Sequence, residues 1–515
     1  MKKENDRSKP VLVTGATGYV GGRLIPRLLN AGFSVRAMGR SLGKLKARTW
    51  ADHPHVQLFE GDVLDKESIS RAATGCRAAY YLVHSMIAQK GAYAEADRLG
   101  AQHMVAAAAE AGLERIIYLG GLGDVRHEAI SSHLISRNEV AEILQAGPVP
   151  TTVLRAAMIL GSGSASFEIL RYLVERLPLM LTPRWVRTPS QPIAITNILD
   201  YLQGCLVHDE VLGGTFDIGG PDVLNYADLI RIFAEEAGLF QRWVIPVPVL
   251  TPGLSAKWIH LVTPIPAAIA QPLTEGLSVP TTCEDHRIRK IMPFRLIGCR
   301  EAIGMALKQT TQEAVDTCWM DAGPCQSPEW AVCGDADYAG GTVLECGYRI
   351  RLQASPEDAW RLIRRIGGKT GWYYADALWR LRGLLDRLVG GVGLRRGRRH
   401  PLDLRMGDAL DFWRVLDVDA PQRLVLLAEM KVPGEALLEI EIRRMDKECI
   451  ELRFLSRFMP AGLFGITYWY ALYPAHQLVF RGMLQAVAIK IGKKILSGPE
   501  RFTPKLNRNC RITEG

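Results

Sequence analysis

Apolar and polar positions follow two different rhythms along this chain. Over the first 240 residues, short apolar runs of strand length are each followed by a stretch with apolar positions three and four apart. Val11-Leu12-Val13 is the first such run, and it passes through glycines into Leu24, Ile25, Leu28 and Leu29, one face of a helix that stops at Gly32. Ser34–Met38, His55–Phe59, Ala78–Val83 and Arg115–Leu119 are further strand candidates, with an alanine-rich helix candidate at Ala101–Ala111. Strands alternating with helices predict an α/β fold, a doubly wound parallel sheet that binds ligands at the carboxyl ends of its strands. From about Leu344 the strands follow one another directly: Cys346–Leu352, Ala409–Val418, Arg423–Met430, Ala436–Met445 and Glu448–Phe458. Turn residues at Pro433-Gly434-Glu435 and Asp446-Lys447 suit hairpins, and Ser355-Pro356-Glu357-Asp358 reads as a helix start. This second pattern predicts an antiparallel α+β domain.

One segment has two readings. Phe458–Phe480 carries no formally charged side chain and is long enough to cross a bilayer. It also holds Pro460, Gly462, Gly465, Pro474 and His476. Proline suits a helix's first turn. The expectation is therefore a strand at Ile466–Tyr473 and a helix from Pro474 to about Ile491, with no transmembrane segment. The expected boundaries are a nucleotide-binding domain at 10–240, a substrate or lid region at 241–320, a linker at 321–343, an antiparallel domain at 344–495 and a tail at 496–515. The 241–320 region is rich in proline and in apolar residues such as Trp243, Trp258, Ile259, Leu261 and Ile265. It suits either a lid over a hydrophobic ligand or packing at a domain junction.

Chemistry enters at the first strand's end, which reads Thr14-Gly15-x-x-Gly18-x-x-Gly21. Gly15 permits a tight turn, Gly18 a close approach of backbone to a pyrophosphate, and Gly21 close packing of helix on strand. The phosphates are expected at the positive N-terminus of the following helix. Expected cofactor contacts are Gly15, Thr17, Gly18, Tyr19, Val20 and Gly21, with Asp62, Val63 and His84 at later strand ends. After the second strand, a site for NAD usually carries an acidic residue for the ribose hydroxyl. Here the chain reads Gly39-Arg40-Ser41, with Lys44 following. Cations there suit the 2′-phosphate of NADP(H) over NAD(H), the alternative being a solvated basic loop.

Composition adds bounds. The chain has 515 residues, 48% of them hydrophobic and 23% charged, which predicts two to three globular domains. Its formal net charge is +9. The run Arg395-Arg396-Gly397-Arg398-Arg399-His400 has no interleaved aromatics, so no nucleic-acid partner is expected. It reads as a solvated loop, or as a contact for an anionic ligand or phospholipid surface. Ten cysteines are scattered, and the gaps between Cys318, Cys325, Cys333 and Cys346 do not suit a metal site. Met1-Lys2-Lys3-Glu4 leads into no apolar stretch, and a reduced cytoplasmic protein is expected.

The Thr-Gly-x-x-Gly-x-x-Gly start, Gly61-Asp62-Val63 and Leu154-Arg155-Ala156 together resemble the short-chain dehydrogenase/reductase superfamily, its extended and atypical branches in particular. The resemblance implies a Rossmann sheet, a serine or threonine after the fifth core strand, and a Tyr-x-x-x-Lys on the next helix. The chain departs from it at those places. It reads Tyr118-Leu119-Gly120-Gly121-Leu122-Gly123, and His133 and Arg137 stand at the tyrosine and lysine positions. Four residues apart on a helix, these two share a face. His133 is a candidate acid or base, or a structural histidine; Arg137 is a candidate ribose or phosphate contact. The C-terminal element order, with Tyr468-Trp469-Tyr470-x-x-x-Pro474-x-His476, resembles the START-like helix-grip fold, whose members enclose an apolar cavity. Bacterial proteins that fuse an atypical reductase domain to such a module share this arrangement. Dense aromatics, among them Trp360, Trp372, Trp379, Trp413 and Trp469, suit either plain core or the lining of a cavity. The expected function is an oxidoreductase acting on a hydrophobic small molecule. The alternative is a non-catalytic NADPH-binding sensor or assembly factor.

Overall fold

Apolar strand meets apolar strand from the first element on. In the computed structural model, which describes residues 9–83, 93–123, 131–182, 184–247, 271, 275, 279–311, 343–389, 391–396, 398–446 and 448–502, the chain divides into two compact units, Met1–Gly323 and Pro324–Gly515. His84, residues 248–270, 272–274, 276–278 and 312–320 of the 241–320 region, and residues 321–342 lie outside the described residues.

The first unit alternates strictly through β1 (Val11–Thr14), α1 (Gly21–Asn30), β2 (Val35–Gly39), α2 (Leu42–Lys46), β3 (Val56–Glu60), α3 (Lys66–Ala73), β4 (Ala78–Tyr81), α4 (Tyr93–Ala111), β5 (Arg115–Gly121), α5 (Ser132–Gln145) and β6 (Thr151–Ala156). Two small parallel pairs follow, β7 (Ile159–Leu160) with β9 (Ile193–Ala194) and β8 (Leu179–Thr182) with β11 (Trp243–Pro246). The last strand of the main sheet is β10 (Thr215–Ile218). All seven strands run parallel in the order β10-β6-β5-β4-β1-β2-β3. Strand order reverses between β1 and β4, and the crevice above that reversal is where doubly wound sheets bind ligands. Leu24, Ile25 and Leu28 of α1 are fully buried with Val11, Val13, Val35 and Ala37 on one face of the sheet. Ala101, Met104, Ala107 and Ala108 of α4 cover the other, where alanines let the helix lie close.

The second unit is antiparallel, as the strand succession predicted. Its sheet runs β13 (Ala409–Leu410), β14 (Trp413–Asp419), β15 (Arg423–Ala428), β16 (Gly434–Arg444), β17 (Ile450–Pro460), β12 (Leu344–Leu352), β18 (Ile495–Phe502). Among the described residues, three α-helices accompany it: α6 (Pro356–Ile363), α7 (Asp376–Leu388) and α8 (Gly462–Ile491). Ser355 caps α6 in a reciprocal capping box with Asp358.

Four expectations fail here. Ile466–Tyr473 is no strand, and Pro474 starts no helix: α8 is one helix of 30 residues with Pro474 inside it. Trp469, His476, Phe480, Met483 and Val487 recur at helical spacing and bury one face, whereas Pro474 lies on the exposed face. On that side the missing N–H and the displaced carbonyl turn toward water, which lets a proline stay in mid-helix. The tail expected from 496 begins instead with β18, which pairs antiparallel with β12. Arg398 and Arg399 of the basic run are also not solvated. Arg398 donates to the carbonyls of Ile366, His400, Asp403 and Arg364, and Arg399 pairs with Asp408 at 2.7 Å. Burial lowers the Arg398 guanidinium to about 10.

The continuous helix makes a prediction that separates it from a strand–turn–helix. Pro474→Ala restores one backbone hydrogen bond and is expected to stabilise the protein by about 2 kcal/mol, read as a raised unfolding transition in calorimetry. A neutral or destabilising result would place Pro474 in a helix's first turn.

Candidate functional site

The switch point is built from the turn between β1 and α1. Gly15 takes a φ of +69°, and a Cβ there would lie 2.8 Å from the Leu82 carbonyl oxygen. A Cβ on Gly21 would lie 2.4 Å from the Gly15 carbonyl oxygen. Helix and turn are thus in backbone contact, as the glycine spacing requires. The N-cap position of α1 is Val20, with no side-chain cap and no acidic residue in the first turn. The positive end of the helix dipole is therefore not neutralised locally. Where β1 and β4 part, the buried Thr14 hydroxyl donates to the Tyr80 carbonyl (3.0 Å) and accepts from the Leu82 amide (3.2 Å).

Two residues that sequence reasoning missed clamp this turn. Arg48 donates to the Thr17 carbonyl at 2.7 Å, and the Trp50 indole donates to the Gly22 carbonyl at 3.1 Å. Both come from the segment after α2, and no local pattern marks them. Tyr19 sits in the motif, but its ring turns toward the later chain. A Cβ on Gly161 would lie 2.4 Å from its hydroxyl, and the Arg23 guanidinium lies 4.3 Å from its ring centroid. Burial pushes its phenol up to about 12.

At the end of β2, Arg40 is exposed. Ser41 caps α2 by accepting from the Lys44 amide, and the Lys44 side chain is buried. Glu60, at the end of β3, accepts from the Leu42 amide at 3.0 Å. Asp62 accepts from the Leu64 amide at 3.0 Å, which fixes the next turn, and Val63 is buried beside Tyr81 in the core. Arg40, Asp62 and the glycine turn thus share the carboxyl edge of the sheet.

The end of β5 is occupied by structure. A Cβ on Gly121 would lie 2.6 Å from Leu134 Cδ2, so Leu134 fills the space that a side chain at Gly121 would need. Ser131 caps α5 through the Leu134 amide. Arg137 donates to the Leu119 carbonyl at 2.6 Å, and its guanidinium lies 5.4 Å from the Tyr118 ring centroid. The Tyr118 hydroxyl donates to the Arg137 carbonyl at 3.2 Å. His133 is half-buried one turn earlier on the same helix. Burial raises the phenols of Tyr81 and Tyr118, the reverse of what a tyrosinate base needs.

Comparison with known proteins bears on this geometry. Residues 15–170 match a protein family described as NAD(P)H-binding. The first unit is an NAD(P)-binding Rossmann domain. Residues 338–483 match a second family, described as a protein of unknown function (DUF2867). The chain is similar to the photosystem II assembly factor Ycf39 of Cyanophora paradoxa, 25% identical over 232 residues, covering 44% of this chain and 68% of that protein. It is also similar to cinnamoyl-CoA reductase 1 of Petunia hybrida, 28% identical over 120 residues, 22% of this chain and only 36% of that protein. Among solved structures, the triphenylmethane reductase of a Citrobacter species aligns with a TM-score of 0.47 and 20% identity, over 58% of this chain and 99% of that one.

The Rossmann domain's turn makes a direct prediction. Gly21→Ala drives a methyl group into the Gly15 carbonyl, so the helix end must retreat from the turn. NAD(P)H affinity, titrated by intrinsic fluorescence, should fall at least tenfold, whereas Gly304→Ala, whose Cβ would meet only the end of the Glu236 side chain at 3.2 Å, should leave it unchanged.

Proposed function

We propose that this protein is an NADP(H)-dependent oxidoreductase of the atypical short-chain dehydrogenase/reductase kind, acting on a hydrophobic small molecule held by its C-terminal unit. The observation that carries the cofactor choice is the arrangement at the end of β2. Ser41 caps α2 and Lys44 is buried, and Arg40 is exposed at the end of β2. A guanidinium there favours a 2′-phosphate, and the strand ends without the acidic residue that a ribose hydroxyl needs. The reductase named among the similar proteins supports hydride chemistry. Cys76, Cys205, Cys299 and Cys346 are buried free thiols, which suits a reducing, cytoplasmic compartment.

The hydrophobic ligand is supported by buried polar atoms in the second unit. The Tyr473 hydroxyl and His476 Nδ1 are buried without a hydrogen-bond partner among the described residues, as are the indole nitrogens of Trp379 and Trp413. His476 stacks with Phe480 and lies 5.0 Å from Trp469, centroid to centroid, and burial lowers its imidazole to about 4. Neutral, unpartnered polar atoms in an aromatic layer suit a START-like cavity holding an apolar molecule with one polar end.

A second reading, a non-catalytic NADPH-binding assembly or sensor protein, is favoured by one observation. The places of the proton relay are filled: Leu134 stands over Gly121, and Arg137 is spent on the Leu119 carbonyl. The assembly factor among the similar proteins supports it too.

Calorimetry tests the cofactor first. NADPH should bind more tightly than NADH, and Arg40→Ala should weaken NADPH about tenfold or more while sparing NADH, as one charge-assisted contact requires. Equal affinities in the unmodified protein would contradict it. The two readings then part on turnover. Slow NADPH oxidation with apolar carbonyl compounds, lost in His133→Phe with binding kept, identifies His133 as the acid; no oxidation with any of them favours the sensor or assembly protein.

A further inference from the structure

Helix α7 shows an apolar face to solvent. Its anchored side is well defined. Trp379 stacks on Trp372 with centroids 4.9 Å apart, and a Cβ on Gly383 would lie 2.7 Å from Leu394. The fully buried Asp386 accepts from the Gly393 and Lys431 amides at 2.7 and 2.6 Å. On the opposite side Leu378, Leu381, Leu384, Leu385, Leu388 and Val389 are all exposed, Leu388 by 76% and Val389 by 65%. At 3.6 residues per turn these six fall within an arc of about 140°. Single exposed leucines are ordinary, but six on one helix face call for a partner.

The charges beside this face indicate which partner. Arg380 and Arg387 border the leucines on one edge and Arg382 on the other, by the same helical geometry. Arg382 donates to the carbonyl of Lys431, whose own side chain is exposed nearby. The helix's two acids lie away from the leucines, Asp376 in the first turn and Asp386 on the buried side. The charge of the whole unit agrees. Residues 324–515 contain 30 Lys and Arg against 22 Asp and Glu, so +8 of the chain's +9 resides there.

We infer that the leucine face of α7 is a docking surface for an anionic lipid membrane, on which the helix lies flat. Leucines in the plane of the acyl boundary, with the exposed Arg380 and Lys431 beside them for lipid phosphates, match the form of an interfacial helix. No described helix is long and apolar enough to cross a membrane, so the contact is with the surface.

Sedimentation with vesicles tests this on the full chain. The protein should pellet with vesicles rich in phosphatidylserine, much less with pure phosphatidylcholine, and should be released by high salt. L385E/L388E should lower the partition at least tenfold, and the uncharged pair L385Q/L388Q should lower it comparably, which separates lost insertion from added repulsion. Arg380→Glu should weaken it several-fold. An unchanged thermal transition and unchanged NADPH binding in these variants show that the fold is kept. Failure of the unmodified protein to pellet with anionic vesicles, or equal binding by the glutamine pair, overturns the inference. A concentration-dependent dimer that the same substitutions dissolve, without vesicle binding, overturns it in favour of self-association.

Discussion

The backbone contact between Gly21 and the Gly15 carbonyl is the constraint on which the first unit depends. Because neither residue carries a side chain, α1 begins in contact with the turn that leaves β1. That brings the uncapped positive end of the helix over the point where the sheet's order reverses. Around it the chain spends polar groups on holding the turn. Thr14 bridges the parting strands, Arg48 and Trp50 take carbonyls of the turn and the helix, and Ser41 and Asp62 fix the ends of neighbouring strands. The result is a braced turn below an uncapped helix N-terminus, the geometry that the proposed phosphate contact requires.

What was legible in the sequence follows from the same physics. A glycine forced by a collision leaves a mark at a fixed position, so the motif could be read directly. Strand–helix alternation was legible because parallel strands need crossover helices. Arg48 and Trp50 were not legible, since they reach the turn from about thirty residues away and nothing local demands them. Where the Tyr19 ring goes was not legible either. It belongs to the motif by position, but its hydroxyl is packed against Gly161. His133 and Arg137 were found through a resemblance. The role of Arg137 as a brace on the Leu119 carbonyl emerges only when α5 is laid on β5.

In the second unit the antiparallel rhythm was legible and the long helix was not. Proline is read from sequence as a start or a stop, yet its cost depends on which face it occupies. On the exposed face of α8 Pro474 is tolerated, and the aromatic spacing carries the helix through it. The basic run failed for a similar reason. Arginines that look solvated in a sequence can be consumed by backbone carbonyls, as Arg398 is, while the exposed leucines of α7 carry no sign in composition at all. Burial decides both cases, and burial is a property of the fold.

The central claim is that the glycine turn holds the dinucleotide's phosphates while Arg40 reads the 2′-phosphate. Hydrogen–deuterium exchange followed peptide by peptide tests it most directly. NADPH should slow exchange of the amides in 14–22 and also in 39–42, and NADH should slow 14–22 alone. Protection by either cofactor that leaves 14–22 unchanged would contradict the account.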